Sequence, residues 1–417
     1  MRVVLTAFGT AGDVEPILGL GVALQRQGDD AVVVTNPYFE QRVRSRGLGY
    51  RGCGERWDPS VVSHDKRYTD KNFGPFNVWK DIYRPLVGPM YEATAAALAE
   101  SKTTAVLNHI WCFGGYLAAE AAEVPTGMVS LAPLTWYSSE DPSLYGPTKP
   151  PAWMHGRLMA GPMRWMMNGF FSRSLRGACR ELGVRDHRAL FFDSQSLGAI
   201  NLGLWSPTWR PEASDDPPHA QICGFPWGGD GRQKRPLDEA LETFLDAGEP
   251  PGVLGLGAAL PAGAQDIYRA VAEACTSLGC RAVLVGGQPE ALGPQPEEIM
   301  VVDYAPYVSL FERASVVVHH AGIGTLAEVL CAGKPGLAVP FGNDQYDNAW
   351  RAHRLGVSQT MPRDKVTAKR MTRVLGQILE DAALQARAAE VGRQISAEPD
   401  GAQVAAKMLR LHFVHDP

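Results

Sequence analysis

The chain has 417 residues, more than one ordinary hydrophobic core accommodates, so two domains are expected. Its hydrophobic content of 45% and charged content of 20% are those of a globular protein, and a net charge of −5 argues against a partner held through nucleic-acid phosphates. The seven cysteines are scattered, odd in number and form no CxxC pair, which points away from a zinc site or a disulfide framework and fits a reducing cytosol.

The N-terminal stretch MRVVLTAFG has too little charge and too short an apolar run for a secretory signal, and a cytoplasmic protein is expected. No apolar run approaches the roughly 18–20 residues that cross a bilayer. RVVLTAF (2–8) reads as a strand, GTAGDVEP (9–16) as a turn, and Ile17, Leu20 and Leu24 recur at helical spacing before Gly28. AVVVTN (31–36) is the next strand, so the opening is a βαβ unit. A second helix ends at Gly47, and TTAVLNH (103–109) and TGMVSLAP (126–133) read as further buried strands. The Pro-, Gly- and charge-rich segment 205–237 closes the first domain and leads into a linker.

The α/β alternation then restarts. LDEALETFLDAG is a helix, PGVLGLGAAL a strand with its turn, AQDIYRAVAEACTSLG a helix and RAVLVGG a strand. ASVVVHH, TLAEVLCAG and GLAVP follow as strand, helix and strand, with further helices over 381–395 and 401–413. The expected division is an N-terminal Rossmann-like domain over 1–215, a linker over 216–237, a second Rossmann-like domain over 238–397, and a last helix within 398–417. The fold class is therefore α/β, two facing doubly wound domains with a ligand cleft between the carboxyl ends of their strands.

The stretch HHAGIGTLAEVLCAGKPGLAVPFGNDQYDNA (319–349) concentrates the candidate chemistry. The turn AGIG feeds a helix N-terminus, where free backbone N–H groups and the positive dipole end attract an anion. Gly322 and Gly324 let the backbone approach a phosphate, Thr325 can donate its hydroxyl, and His320 ends the preceding strand. An ordinary turn capped by Thr325 is the plainer reading of these residues alone. Glu328, one turn into the helix, suits ribose hydroxyls, and Asp344 and Gln345 follow the next strand as partners for a second sugar. Phosphate, ribose and sugar together suggest a nucleotide sugar.

This HxGxxT–Glu–PxxxDQ pattern resembles the donor signature of the GT-B inverting glycosyltransferases, which use UDP- or dTDP-sugars. GTAGDVEP is similar to the same family's N-terminal turn, so the resemblance spans nearly the whole chain. The bacterial sterol, glycopeptide and macrolide group is nearest in pattern, and NDQYDNA is similar to a stretch of the rhamnosyltransferase that builds rhamnolipids. By this resemblance His320 contacts the diphosphate, Gly322, Gly324 and Thr325 line it, Glu328 holds the ribose, and Asp344 and Gln345 bind the transferred sugar. Tyr304 in VDYAPY would stack on the pyrimidine while the Ala305 backbone reads its edge. Ala258 departs from the family, which often carries a phosphate-binding serine there, and Asn343 has no assigned meaning.

Asp13 is the candidate catalytic base, as the resemblance implies, although an Asp before a helix is also a favoured cap and a helix N-terminus weakens a base. His109 could assist it. No DxD motif is present, and neither a metal nor a resident cofactor is expected. Phe76, Trp79, Trp111, Phe113 and Trp136 belong to aromatic segments expected to line an apolar acceptor pocket, with His109 beside them. Residues 153–180 carry five arginines with Trp153, Trp165, Phe170 and Phe171, and read either as a solvated lid or as an amphipathic segment in peripheral contact with a membrane. The expected partners are a nucleotide-sugar donor and an apolar small-molecule acceptor, a natural-product aglycone or a hydroxy-lipid. A nucleotide-sugar epimerase of the same fold and a non-catalytic helper subunit are the alternatives. The sequence does not define an oligomeric state.

Overall fold

The computed structural model describes residues 1–414 apart from 66, 69, 71–72, 147–153, 157–160, 163, 186, 188–189, 229–231 and 258–263. Two parallel sheets carry the architecture. The first contains β1 (Arg2–Thr6), β2 (Asp30–Thr35), β3 (Gly49–Gly52), β4 (Ala105–His109), β5 (Thr126–Ser130), β6 (Ile200–Gly203) and β7 (Ala220–Ile222), in spatial order β3-β2-β1-β4-β5-β6-β7. The second contains β8 (Gly252–Gly255), β9 (Ala282–Val285), β10 (Ile299–Val302), β11 (Val316–His319), β12 (Gly336–Ala338) and β13 (Ser358–Thr360), in order β10-β9-β8-β11-β12-β13. Central strands are apolar on both faces because helices cover both: Val3, Val4 and Leu5 are wholly buried, as are Val317 and Leu254. Strand β7 pairs with β6 in register Asn201↔Ala220, so the first sheet runs into the segment read as linker.

In both sheets the strand order reverses beside the first strand. The crevices fall between β1 and β4 and between β8 and β11, the switch points at which open α/β sheets take ligands. The two domains share an apolar core behind these crevices. Trp136, Trp205, Trp209 and Phe225 from the first domain pack with Leu326, Ala327, Leu330 and Val391 from the second.

The last helix, Gly401–Val414, packs on the helix Ala11–Arg26 of the first domain. Its Ala402, Ala405, Ala406 and Leu409 are buried with Ile17, Leu18 and Leu20. The chain therefore crosses between domains twice, and the crossings are tied together: Gly401 N donates to Phe225 O at 2.9 Å, and Trp227 N to Asp400 Oδ1 at 3.0 Å. A Cβ on Gly401 would strike the Gly224 carbonyl, so only glycine permits this approach.

A second interdomain connection is ionic. Asp141, in the loop after β5, accepts from Arg210 Nε at 3.2 Å, from Arg351 Nη1, and from Arg354 Nη1 at 3.3 Å. Arg351 Nε donates to the wholly buried Asp347 at 2.8 Å, and the other Asp347 oxygen accepts from Leu144 N at 2.8 Å. Arg210 is paired in turn with Asp216. The loop that follows Trp136, through Asp141 and Leu144, thus clamps the second-domain helix Gln345–Arg354. No described helix is long and apolar enough to cross a membrane.

Candidate active site

The donor half is built at the end of β11. Ala321 takes a left-handed φ of 64°, and the helix Ile323–Cys331 starts after Gly322 as N-cap. Thr325 is therefore three residues inside the cap, and the cap residue makes no side-chain hydrogen bond to the first-turn amides. A Cβ on Gly322 would fall on the His320 ring, so this glycine lets the imidazole lie across the helix mouth. Gly257, at the end of β8, closes the other side: a Cβ there would lie 3.1 Å from His320 Cε1 and 3.8 Å from Thr325 Oγ1. Burial pushes the His320 pKa down to about 4, so the ring is neutral at pH 7 and donates from one nitrogen only. Its Nδ1 is buried with no partner among the described residues. His319, wholly buried behind the turn, accepts from Ala321 N at 3.2 Å through Nδ1.

Asp344 and Gln345 stand at the start of the helix Gln345–Arg354. Asn343, whose meaning the sequence left open, takes a φ of 53° and turns the chain into that helix. Asn348 Nδ2 donates to Asp344 Oδ2 at 2.8 Å and to Ala321 O at 3.0 Å, tying the Asp344 carboxylate to the turn after β11. Burial pushes the Asp344 pKa up to about 6, and the Asp13 carboxylate across the cleft adds to the rise. Gln345 Oε1 accepts from Phe341 N at 2.8 Å, which fixes the orientation of its amide.

A cavity of about 810 Å³ lies between the domains. Its wall includes Tyr304, Ala305, Tyr307, Gly257, Gly324, Glu328 and Arg232 on one side and Gly12, Pro16, Leu131 and Leu204 on the other. Tyr304 is 71% exposed at the rim, whereas Ala305 is buried and offers backbone only. Glu328 is engaged: its Oε2 accepts from Arg232 Nε at 2.8 Å. Sequence reading missed this arginine, which sits in the basic run GRQKR of the linker.

On the first domain, the helix Ala11–Arg26 begins earlier than the sequence suggests. Thr10 is its N-cap, and Asp13 closes a capping box, accepting from Thr10 N at 2.7 Å and Thr10 Oγ1 at 2.9 Å through Oδ2. Oδ1 faces His109 Nε2 at 3.8 Å, and the Asp13 side chain keeps 29% exposure while His109 keeps 3%. Burial lowers the His109 pKa, with Asp13 opposing, and His109 Nδ1 has no partner among the described residues. Tyr83, another neighbour, is pushed up by burial and further by Asp13.

Most of the proposed acceptor aromatics are packing residues. Trp136 is 1% exposed, set edge-on to Trp205 in the interdomain core and donating to Ser130 Oγ at 3.0 Å, which removes it from an acceptor wall. Trp79 and Phe113 are buried in the first-domain core, Trp79 Nε1 donating to Ser174 Oγ at 2.9 Å. Trp111 is partly buried beside Tyr83 and Phe171, and Phe76 is exposed, edge-on to Phe170. The helix Arg164–Glu181 buries Phe171, Leu175 and Cys179 and turns Trp165, 80% exposed, outward. Trp153, Arg157 and Ala258 lie outside the described residues.

Comparison with known proteins bears on the family and the fold. Residues 3–136 match the model of the glycosyltransferase family 28 N-terminal domain, and residues 281–411 that of the erythromycin biosynthesis protein CIII-like C-terminal domain. The chain is 27% identical to an O-mycaminosyltylonolide 6-deoxyallosyltransferase of Streptomyces fradiae, over 95% of this chain and 94% of that protein. It is also 27% identical to a sterol 3-beta-glucosyltransferase of Arabidopsis thaliana, over 91% of this chain but only 61% of the plant protein. Among solved structures, the kitacinnamycin glycotransferase superposes with a TM-score of 0.75 at 21% identity, covering 99% of both chains. The glycosyltransferase VinC in complex with DTDP gives 0.69 at 18% identity, also over 99% of both. The chain is a GT-B glycosyltransferase of the group that holds the macrolide, glycopeptide and sterol enzymes.

Proposed function

We propose that this enzyme moves one sugar from a UDP- or dTDP-sugar to a hydroxyl of an apolar acceptor, with inversion and without a metal. The observation that carries the reading is the opposition of Asp13 and Asp344 across the cleft, with the neutral His320 and an uncapped helix mouth on the donor side. The acceptor hydroxyl gives its proton to Asp13 as its oxygen bonds the anomeric carbon. The bond from that carbon to the diphosphate breaks on the opposite face, so one displacement inverts the centre. Charge growing on the diphosphate is met by the first-turn amides of Ile323–Cys331 and by His320, without a formal cation at that point. Asp344 and Gln345 hold the sugar hydroxyls, Glu328 the ribose, and Tyr304 stacks on the base over the Ala305 backbone.

The deoxyallosyl- and glucosyltransferase relatives are both transferases, which leaves the epimerase and helper-subunit readings without support. Their names specify a tylonolide derivative and a sterol, and both support an apolar acceptor here. The neighbour bound to DTDP supports a nucleoside diphosphate in the cleft. Seven free thiols support a reducing, cytoplasmic setting.

The test is calorimetric titration of UDP, dTDP, GDP and ADP against the wild type and His320→Ala. Selective uridine or thymidine diphosphate binding, weakened about 10-fold or more in the variant, is expected for a lost hydrogen bond to a charged ligand. No binding of any of the four overturns the donor-site assignment.

A further inference from the structure

Arg232 enters the cleft from the interdomain linker and forms part of the cavity wall. Two of its three guanidinium nitrogens are committed. Nε donates to Glu328 Oε2 at 2.8 Å and Nη1 to Glu312 Oε1 at 3.2 Å, while Lys234 Nζ holds the other Glu312 oxygen at 2.5 Å. The third, Nη2, is buried with no hydrogen-bond partner among the described residues. A buried guanidinium nitrogen left unpaired is costly, and its side chain is held too firmly by two carboxylates to turn away. Glu328 is itself largely buried: burial raises its pKa and Arg232 pulls it back down. The guanidinium opposes that rise and fixes which oxygen remains for a ligand.

We propose that Arg232 is a ligand of the donor nucleotide, its Nη2 donating to a ribose hydroxyl oxygen while Glu328 Oε1 accepts from a ribose hydroxyl. A fixed donor beside a fixed acceptor matches the vicinal diol of a ribose, in which each hydroxyl gives one hydrogen and offers lone pairs. The inference rests on the donor-site reading and adds to it a specificity element that comes from the linker rather than from the second domain. On this reading the cleft favours UDP over dTDP and so narrows the proposed donor: a ligand lacking one ribose hydroxyl leaves Nη2 or Oε1 unpaired, and a ligand lacking both leaves the two of them unpaired, which is the situation a polar site rejects most strongly.

The experiment titrates UDP and 2′,3′-dideoxyuridine diphosphate against the wild type, Arg232→Ala, Arg232→Lys, Glu328→Gln and His320→Ala, with a thermal melt of each variant to confirm folding. The wild type should prefer UDP by at least about 10-fold, the scale of one lost hydrogen bond to a charged group. Arg232→Ala should weaken UDP by a similar factor, leave the dideoxy ligand nearly unchanged and so erase the preference. Lysine should not restore the preference, because a single ammonium lacks the fork that reaches both Glu328 and the ligand. UDP binding within twofold of wild type in folded Arg232→Ala, or equal losses for both ligands, overturns the proposal. If His320→Ala and Glu328→Gln weaken UDP while Arg232→Ala does not, this inference fails alone. If none of the three does, the donor-site reading fails with it.

Discussion

His109 stands directly behind Asp13, its Nε2 3.8 Å from Asp13 Oδ1, and the histidine is the buried member of the pair. The other carboxylate oxygen, Oδ2, is already occupied by the two hydrogen bonds of the capping box. Oδ1 is therefore the oxygen left free of the cap, the one that the proposed base role requires, and His109 Nε2 faces it. Cap and proposed base, which compete when read from sequence, would be divided between the two oxygens of one carboxylate.

Asp13→Asn should retain the cap oxygen and abolish the base. Turnover is expected to fall about 10²–10⁴-fold, the usual range for one general base, while nucleotide affinity stays at the wild-type value. Initial rates beside a calorimetric titration separate the two effects. A rate within fivefold of wild type would remove Asp13 from the base role.

Asp344 carries a pH signature. Its folded-state pKa of about 6 lies above the ordinary carboxylate value, so the folded protein binds this proton more tightly than the unfolded chain does. The stability from that proton is full below about pH 4 and is lost as pH rises through about 6. Asp344→Asn should therefore melt higher than wild type at pH 7.5, by a few degrees, and show no advantage at pH 4. Donor-sugar turnover should move the other way, falling in the wild type as pH drops through about 6 and low at every pH in the variant. Melting curves and rates at the same pH values check both signs.

Gly322→Ala is a selective probe. The glycine has a φ of −61°, which alanine adopts freely, so the backbone is unstrained. The added methyl instead meets the His320 ring. The expected result is a nearly unchanged melting temperature with a loss of UDP or dTDP affinity close to that of His320→Ala. An unaltered affinity would mean that the imidazole does not reach the ligand.

Arg351 holds two carboxylates from opposite domains, Asp141 and Asp347. Arg351→Met leaves a wholly buried Asp347 without its cation, and a loss of about 3–5 kcal/mol in denaturant unfolding is expected. Adding Asp347→Asn should return part of it, because the uncompensated charge is then gone. Because the clamped helix begins at Gln345, the single variant should also raise the donor KM.

The legible parts of the molecule were those encoded locally. The strands of both sheets are apolar runs bounded by turn residues, and residues 319–349 hold the turn after β11, the helix that follows it and the Asp344–Gln345 pair in one continuous stretch. Features that join distant residues left no such trace. Arg232 meets Glu328 across 96 positions and Arg351 meets Asp141 across 210, and neither pairing has a period or spacing to read. The aromatic segments failed for another reason: composition does not distinguish a tryptophan that lines a pocket from one that fills a core. Trp79 and Trp136 proved to be the latter.

The paired crossings at Phe225–Trp227 and Asp400–Gly401 have a mechanical meaning. Two strands of chain bonded to each other form one pivot rather than two, and a pivot permits rotation while resisting sliding. Any turning of one domain against the other would then be confined to an axis through this paired crossing near Gly224. Trimming the chain before Gly401 would remove half of that bearing.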